Sequence, residues 1–291
     1  MPLDPKKLLA SRLRGESVSW DDRDVLLYAL GVGMGREPRN HAELRFVYEG
    51  AGLQVMPSFA SLLASSRLLD DCGWDYSQVL HAGERVLIHR VLSDIGAVTL
   101  DSRVSGLRDL GAKRGALIAV DTDARGARGD ALFTVQRTML ARGDGGFGGS
   151  SDGGFGGSGD GGPAPHPLPA RPPDLSCALE TRPDQALLYR LSGDRNPLHA
   201  DLRAASRAGF NAPLLHGLCT WGIACRGILA TICEYDPTLM RSMDGRFSAP
   251  AYPGDTLVTE MWQQANVVSF RVRAAERDVV VLNHGRCELA A

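Results

Sequence analysis

One carboxylate, one carboxamide and one imidazole fall within six residues in the run Tyr189-Arg190-Leu191-Ser192-Gly193-Asp194-Arg195-Asn196-Pro197-Leu198-His199. Gly193 and Pro197 are turn formers, which predicts a loop of fixed shape. From such a turn Asp194 and His199 can converge on one water, take a proton from it and return a proton elsewhere. The competing reading is a self-capped loop, with Asp194 bonded to neighbouring backbone amides and His199 a half-buried structural residue. Two further features weigh against it. Leu214-Leu215-His216-Gly217 opens a long apolar run, and the first turn of a helix there would carry unpaired N–H groups and the positive end of the dipole. Gly217 has no side chain, so a carbonyl oxygen can approach that backbone and be stabilised as negative charge develops on it. The matching place in the first half, Gly31-Val32-Gly33-Met34-Gly35-Arg36-Glu37-Pro38, has no Asp–His pair. The second half is therefore expected to do chemistry and the first to do another job.

The elements that must position these groups come in two sets. From residue 143 to 162, twelve of twenty residues are Gly, in an eight-residue near-repeat that begins at Asp144 and again at Asp152, and a Pro-rich stretch follows. Glycine gives flexible coil and proline a stiff extended spacer, so 143–173 reads as a linker between units at 1–142 and 174–291. The flanking parts resemble each other. Leu26-Leu27-Tyr28-Ala29-Leu30 parallels Leu187-Leu188-Tyr189-Arg190-Leu191, and Gly83-Glu84-Arg85-Val86-Leu87 parallels Gly254-Asp255-Thr256-Leu257-Val258. Between these landmarks each part has an apolar helical candidate, 58–69 after Met56-Pro57 in the first and 214–233 in the second. Strand-like runs follow at 84–92, 97–104, 115–122 and 131–141, and at 255–263, 267–275 and 279–289, separated by turn-prone residues. A long apolar helix followed by an antiparallel meander predicts an α+β fold with the sheet wrapped on its helix, the hot-dog arrangement. The duplication predicts two such units, two antiparallel sheets each wrapped on a long helix.

Composition removes several classes. The 291 residues carry a net charge of −2, and a dedicated nucleic-acid binder usually has a basic excess. None of the six cysteines shows C-x-x-C spacing, which leaves a zinc or redox motif without support. The N-terminal residues lack the apolar run of a signal peptide, so reduced thiols and a cytoplasmic location are expected. The 214–233 run is long enough for a bilayer but contains His216 and Arg226, which favours a buried core helix over membrane insertion. Gly31 to Gly35 resembles a nucleotide loop only superficially, because it follows a helical turn and precedes Pro38. Ser192 is not in a G-x-S-x-G elbow. His41, His89, His166, His216 and His284 read as surface, linker or core groups rather than ligands, and Cys219 and Cys225 as buried thiols.

Tyr189 to His199, with Ala208-Gly209-Phe210 and Leu215-His216-Gly217-Leu218-Cys219-Thr220, resembles the hydratase 2 motif of the MaoC-like, (R)-specific 2-enoyl-CoA hydratases. The resemblance extends to Tyr28-Ala29-Leu30-Gly31-Val32-Gly33 and Leu44-Arg45-Phe46-Val47-Tyr48-Glu49-Gly50 in the first half. In the second half it takes in Arg246-Phe247, Pro250, Tyr252-Pro253-Gly254 and Glu260-Met261-Trp262. It implies a double hot dog fold, with the two units side by side, and reversible hydration of trans-2-enoyl-CoA to (3R)-3-hydroxyacyl-CoA, with Asp194 and His199 as the catalytic pair, Asn196 as the supporting amide and the Gly217 N–H as oxyanion donor. Contacts to the acyl-CoA are implied at His81, Gly83, Lys113, Arg246 and Phe247. Leu80-His81-Ala82-Gly83-Glu84 carries one residue more than the family's Leu-His-Gly-Glu. The resemblance implies no metal and no redox cofactor, a CoA thioester as the only small-molecule partner, room for a long acyl chain in the first unit, and a homodimer. The alternatives are a dehydratase for a branched, sterol-derived or dicarboxylic thioester, a thioesterase, and a non-catalytic acyl-CoA-binding protein.

Overall fold

The computed structural model describes residues 4–70, 72–73, 78–148, 150–151 and 165–290. Most of the Gly-rich near-repeat lies outside the described residues. The first half contains α1 (Pro5–Ala10), β1 (Arg12–Trp20), α2 (Asp22–Gly31), α3 (His41–Val47), α4 (Phe59–Leu63), β2 (Val79–Ile88), β3 (Gly96–Asp109), β4 (Ala116–Arg125) and β5 (Ala131–Ala141). A two-residue β6 (Ser150–Ser151) pairs with β3. The second half contains β7 (Leu175–Glu180), α5 (Gln185–Tyr189), α6 (Leu202–Arg207), α7 (Gly217–Thr231), β8 (Met240–Phe247), β9 (Thr256–Gln264), β10 (Val267–Ala274) and β11 (Val279–Leu289).

The strands run antiparallel in the order β1-β3-β4-β5-β2-β8-β11-β10-β9-β7. Read from either edge inward, the two halves have the same order: β1-β3-β4-β5-β2 mirrors β7-β9-β10-β11-β8. The α+β double hot dog is therefore present, but as one continuous sheet rather than two. The seam is the β2–β8 ladder, from Gly83↔Arg246 to Leu87↔Ser242. It satisfies backbone groups that two separate sheets would leave bare. The topology also corrects one landmark. Gly83 lies in β2, whose counterpart is β8, whereas Gly254 precedes β9, so those two segments are not equivalent.

The two helices differ more than the sequence suggests. Helix α7 occupies most of the expected 214–233 run, and Cys219 through Leu229 are all buried. A helix that is apolar all round belongs inside a core. The expected partner helix at 58–69 is reduced to the five residues of α4. Ser65 N bonds to the Leu62 carbonyl at 3.2 Å rather than continuing the helix onto the Ser61 carbonyl, which accepts from Arg137 Nη2 at 2.7 Å. Among the described residues, only the second half is thus wrapped on a long helix. No helix among the described residues is long and apolar enough to cross a membrane.

Gly222 lets α7 approach α2. A Cβ there would sit 2.5 Å from Val32 Cγ1 and 2.9 Å from the Tyr28 hydroxyl. Gly222→Ala is expected to destabilise the fold by about 1–3 kcal/mol through overpacking, less up to about 1 kcal/mol of improved helix propensity. Urea denaturation measures the balance, and a stabilised variant would contradict it.

Candidate active site

The 189–199 run folds as α5, a 3-10 turn at Arg190–Ser192, and a second 3-10 turn at Pro197–His199. Gly193 joins them at φ +133°, a conformation that L side chains rarely adopt. Asp194 Oδ1 accepts from Asn196 N at 3.0 Å, and Asn196 Oδ1 accepts from Leu198 N at 3.0 Å. The self-capped loop is therefore real, but it uses only one carboxylate oxygen. Asp194 Oδ2 faces His199 Nε2 at 3.9 Å, with the Asp194 side chain 53% exposed and that of His199 11%. That gap is too long for a direct hydrogen bond and suits one water about 2.8 Å from each atom.

The tautomer of His199 follows from its other nitrogen. Nδ1 lies 2.9 Å from the Leu214 carbonyl, which only accepts, so Nδ1–H donates and Nε2 keeps its lone pair toward Asp194. Burial lowers the His199 pKa below its usual 6.5, against the raising effects of the Asp194 charge and the Leu214 carbonyl. His216 stacks on His199 with ring centroids 3.7 Å apart and planes 24° apart. Its Nε2–H donates to the Asp194 carbonyl at 3.2 Å. Burial, then the neighbouring His199, pushes the His216 pKa down to about 3. A neutral ring suits its place as N-cap of α7, where a positive charge would oppose the helix dipole.

Gly217 is the first residue of α7. A Cβ on it would lie 3.4 Å from His81 Nδ1 and 3.5 Å from Phe247 Cε1, which puts three residues expected to meet substrate at one point. His81 packs on Phe247 with ring centroids 4.6 Å apart. The extra residue Ala82 is absorbed as an irregularity in the β2–β5 ladder, where His81 pairs with Met139 and Gly83 with the next residue, Thr138. Such a bulge re-aims a side chain without breaking the strand.

Asp194, Asn196, His199, Gly217, His81 and Phe247 all line one cavity of about 780 Å³. Residues 64–70, beyond the shortened α4, line it too, so the missing helical turns leave room inside the first half. Gly83, Lys113 and Arg246 are not among the lining residues. Gly83 serves His81 instead, its carbonyl lying 3.0 Å from His81 Nε2. Lys113 sits exposed in the turn between β3 and β4, and Arg246 lies in β8 opposite Gly83.

Sequence reasoning passed over three groups here. His216 is buried, and it also stacks on His199 and donates to the Asp194 carbonyl. Glu84 is 2% exposed and forms a two-point pair with Arg137, Nε–Oε2 and Nη2–Oε1 both at 3.0 Å. Burial acts to raise the Glu84 pKa, but the Arg137 charge and the His81 hydrogen bond outweigh it and hold the pKa below the usual value. Asp194, His199 and His216 also have ligand atoms within 4.8 Å of one another. Two of the four ring nitrogens are already engaged, His199 Nδ1 with the Leu214 carbonyl and His216 Nε2 with the Asp194 carbonyl.

Comparison with known proteins agrees along the whole chain. The MaoC like domain family matches residues 166–284, and the MFE-2 hydratase 2 N-terminal domain family matches residues 18–143. Enoyl-CoA hydratase ChsH3 of Mycobacterium tuberculosis is 38% identical over 292 residues, covering 98% of each chain. The peroxisomal enoyl-CoA hydratase 2 of Arabidopsis thaliana is 38% identical over 94% of this chain and 92% of its own. Among solved structures, a MaoC-like dehydratase from Phytophthora capsici superposes with a TM-score of 0.84 at 30% identity, covering 99% of both chains. With both halves matched and the relatives aligned over nearly their full length, the chain belongs to the hydratase 2 family of MaoC-like dehydratases.

Proposed function

We propose that the chain reversibly adds water to trans-2-enoyl-CoA, giving (3R)-3-hydroxyacyl-CoA in fatty acyl-CoA degradation. The observation that carries this reading is the pairing of Asp194 Oδ2 with His199 Nε2 at 3.9 Å, in one cavity with the start of α7. A water held by both atoms lies over C3 of the enoyl group. As its oxygen attacks C3, one water proton passes to the dyad and one proton passes from the dyad to C2 on the same face, so the dyad ends as it began. The Gly217 N–H stabilises the enolate-like thioester oxygen. Asn196 holds the loop, while His81 and Phe247 border the thioester. The first unit, 1–142, lodges the acyl chain, and 174–291 does the chemistry across the 143–173 linker. Residence in the cytoplasm and assembly as a homodimer belong to the same proposal; the buried thiols of Cys219, Cys225, Cys233 and Cys287 suit a reducing compartment, and light scattering tests the assembly.

Loss of enoyl absorbance with crotonyl-CoA and decenoyl-CoA, with chiral analysis of the product, tests the reaction. Release of free CoA would instead identify a thioesterase, and thermal stabilisation without loss of absorbance a binding protein. The pH profile adds a second check. His199 must be unprotonated to accept a proton, and its pKa is lowered by burial. Activity is therefore expected to persist below pH ~6.5, the ordinary histidine value, and to fall only as pH drops through the lowered value. Asp194→Asn removes a charge that raises this pKa, so the acid limb of its residual activity moves to still lower pH. An acid limb that moves upward would contradict the assignment of His199 as base.

A further inference from the structure

His81 is gripped from behind. Its Nε2 lies 2.9 Å from Glu84 Oε2 and 3.0 Å from the Gly83 carbonyl, and both partners only accept, so Nε2 carries the proton. In the neutral ring this leaves Nδ1 with a lone pair, on the edge that faces Gly217 and the cavity. Glu84 and Arg137 are direct partners across β2 and β5, and Arg137 Nη2 also donates to the Ser61 carbonyl at 2.7 Å. The Arg137–Glu84–His81 chain therefore runs from the end of α4 through a buried carboxylate to the point where the thioester is placed. The reaction described above does not use it.

We infer that Glu84 and Arg137 are positioning residues that lock His81 with Nδ1 as a hydrogen-bond acceptor for a substrate N–H beside the thioester. This rests on the hydratase reading and deepens it. An acceptor at that point selects thioesters whose sulfur is followed, two carbons on, by an amide N–H, as in a pantetheine arm. A thioester of the same size without the amide leaves the Nδ1 lone pair unpaired in a half-buried place, a loss that binding sites discriminate against.

The test compares crotonyl-CoA and crotonyl N-acetylcysteamine, which share that amide, with crotonyl S-pentyl thioester, which lacks it. The unsubstituted protein is expected to prefer the amide-bearing N-acetylcysteamine ester over the S-pentyl ester by about tenfold in kcat/KM, the scale of one hydrogen bond. Glu84→Gln takes away the charged acceptor and leaves the Gly83 carbonyl alone to hold the Nε2 proton, so the ring is no longer locked. The preference should then collapse toward unity, chiefly through KM for the amide-bearing esters. His81→Phe should do the same, and it leaves the Glu84–Arg137 pair intact should the Glu84 variant not fold. Equal kcat/KM for the two small esters in the unsubstituted protein would overturn the inference while leaving the hydratase reading standing. So would variants that lose activity on both esters alike. Hydration of none of the three would remove the hydratase reading itself.

Discussion

Replacing Asp194 by Asn, or His199 by Gln, is expected to lower turnover of crotonyl-CoA by about 10²–10⁴-fold, the usual worth of a positioned acid or base. Neither change should disturb the loop. Asn at 194 can still accept from Asn196 N through its oxygen, as Asp194 Oδ1 does at 3.0 Å. Its amide nitrogen, turned toward His199, donates where Oδ2 accepted and cannot hold the same water. Gln at 199 can still donate to the Leu214 carbonyl, but its remaining oxygen does not take up a proton at neutral pH. KM should move little, because the cavity walls and the start of α7 are untouched. The double variant should lose little more than the worse single one, since two groups sharing one water act as a unit. Stopped assays on protein with unchanged circular dichroism decide the matter, and near-normal turnover in either folded variant would end the dyad assignment.

Replacing Arg226 by Met is expected to remove about 3–5 kcal/mol of stability. Arg226 lies inside α7 and is 7% exposed; its partner, Glu43 of α3, is 2% exposed. Arg226 Nε lies 2.8 Å from Glu43 Oε1, and the same carboxylate accepts from Gly35 N at 2.8 Å and from the Tyr235 hydroxyl at 3.2 Å. Without the guanidinium the carboxylate keeps two neutral donors and no countercharge in an apolar interior. Adding Glu43→Gln should restore much of the loss, because the buried charge goes with its partner. Urea unfolding reads both effects as shifts of the midpoint with the slope unchanged. A single-variant loss below about 1 kcal/mol would show that the pair is no more than a surface-like contact.

The sequence yielded what was local. Asp194, Asn196 and His199 share one turn, and Gly217 opens a helix whose apolar run announces itself, so their meeting could be reasoned without a fold. His81, Glu84 and Arg137 were harder, because Glu84 meets Arg137 only through the β2–β5 register. Strand β8 was missed for a related reason. Met-Arg-Ser-Met-Asp-Gly-Arg-Phe reads as too charged for the centre of a sheet. In place, Asp244 stands opposite Arg85 of β2 and Arg286 of β11. Burial raises the Asp244 pKa, and the charges of Arg85, Arg246 and Arg286 oppose the rise. Strands β1 and β7 flank the sheet, and their alternation runs between exposed and half-buried positions, so its apolar side is weak in the sequence. The helix expected at 58–69 stops at Leu63, and apolar spacing says nothing of the distant Arg137 guanidinium that takes the Ser61 carbonyl.

The β2–β8 ladder makes the two halves mutually obligate. Cut apart, each would bare a rim of backbone donors and acceptors that recruits whatever strand comes near. A severed catalytic half would most simply dock with its own twin across that rim, and the twinned assembly would own two dyads. Tethering unlike halves supplies both rims of the seam from one chain, and leaves the half without an Asp–His pair free to diverge.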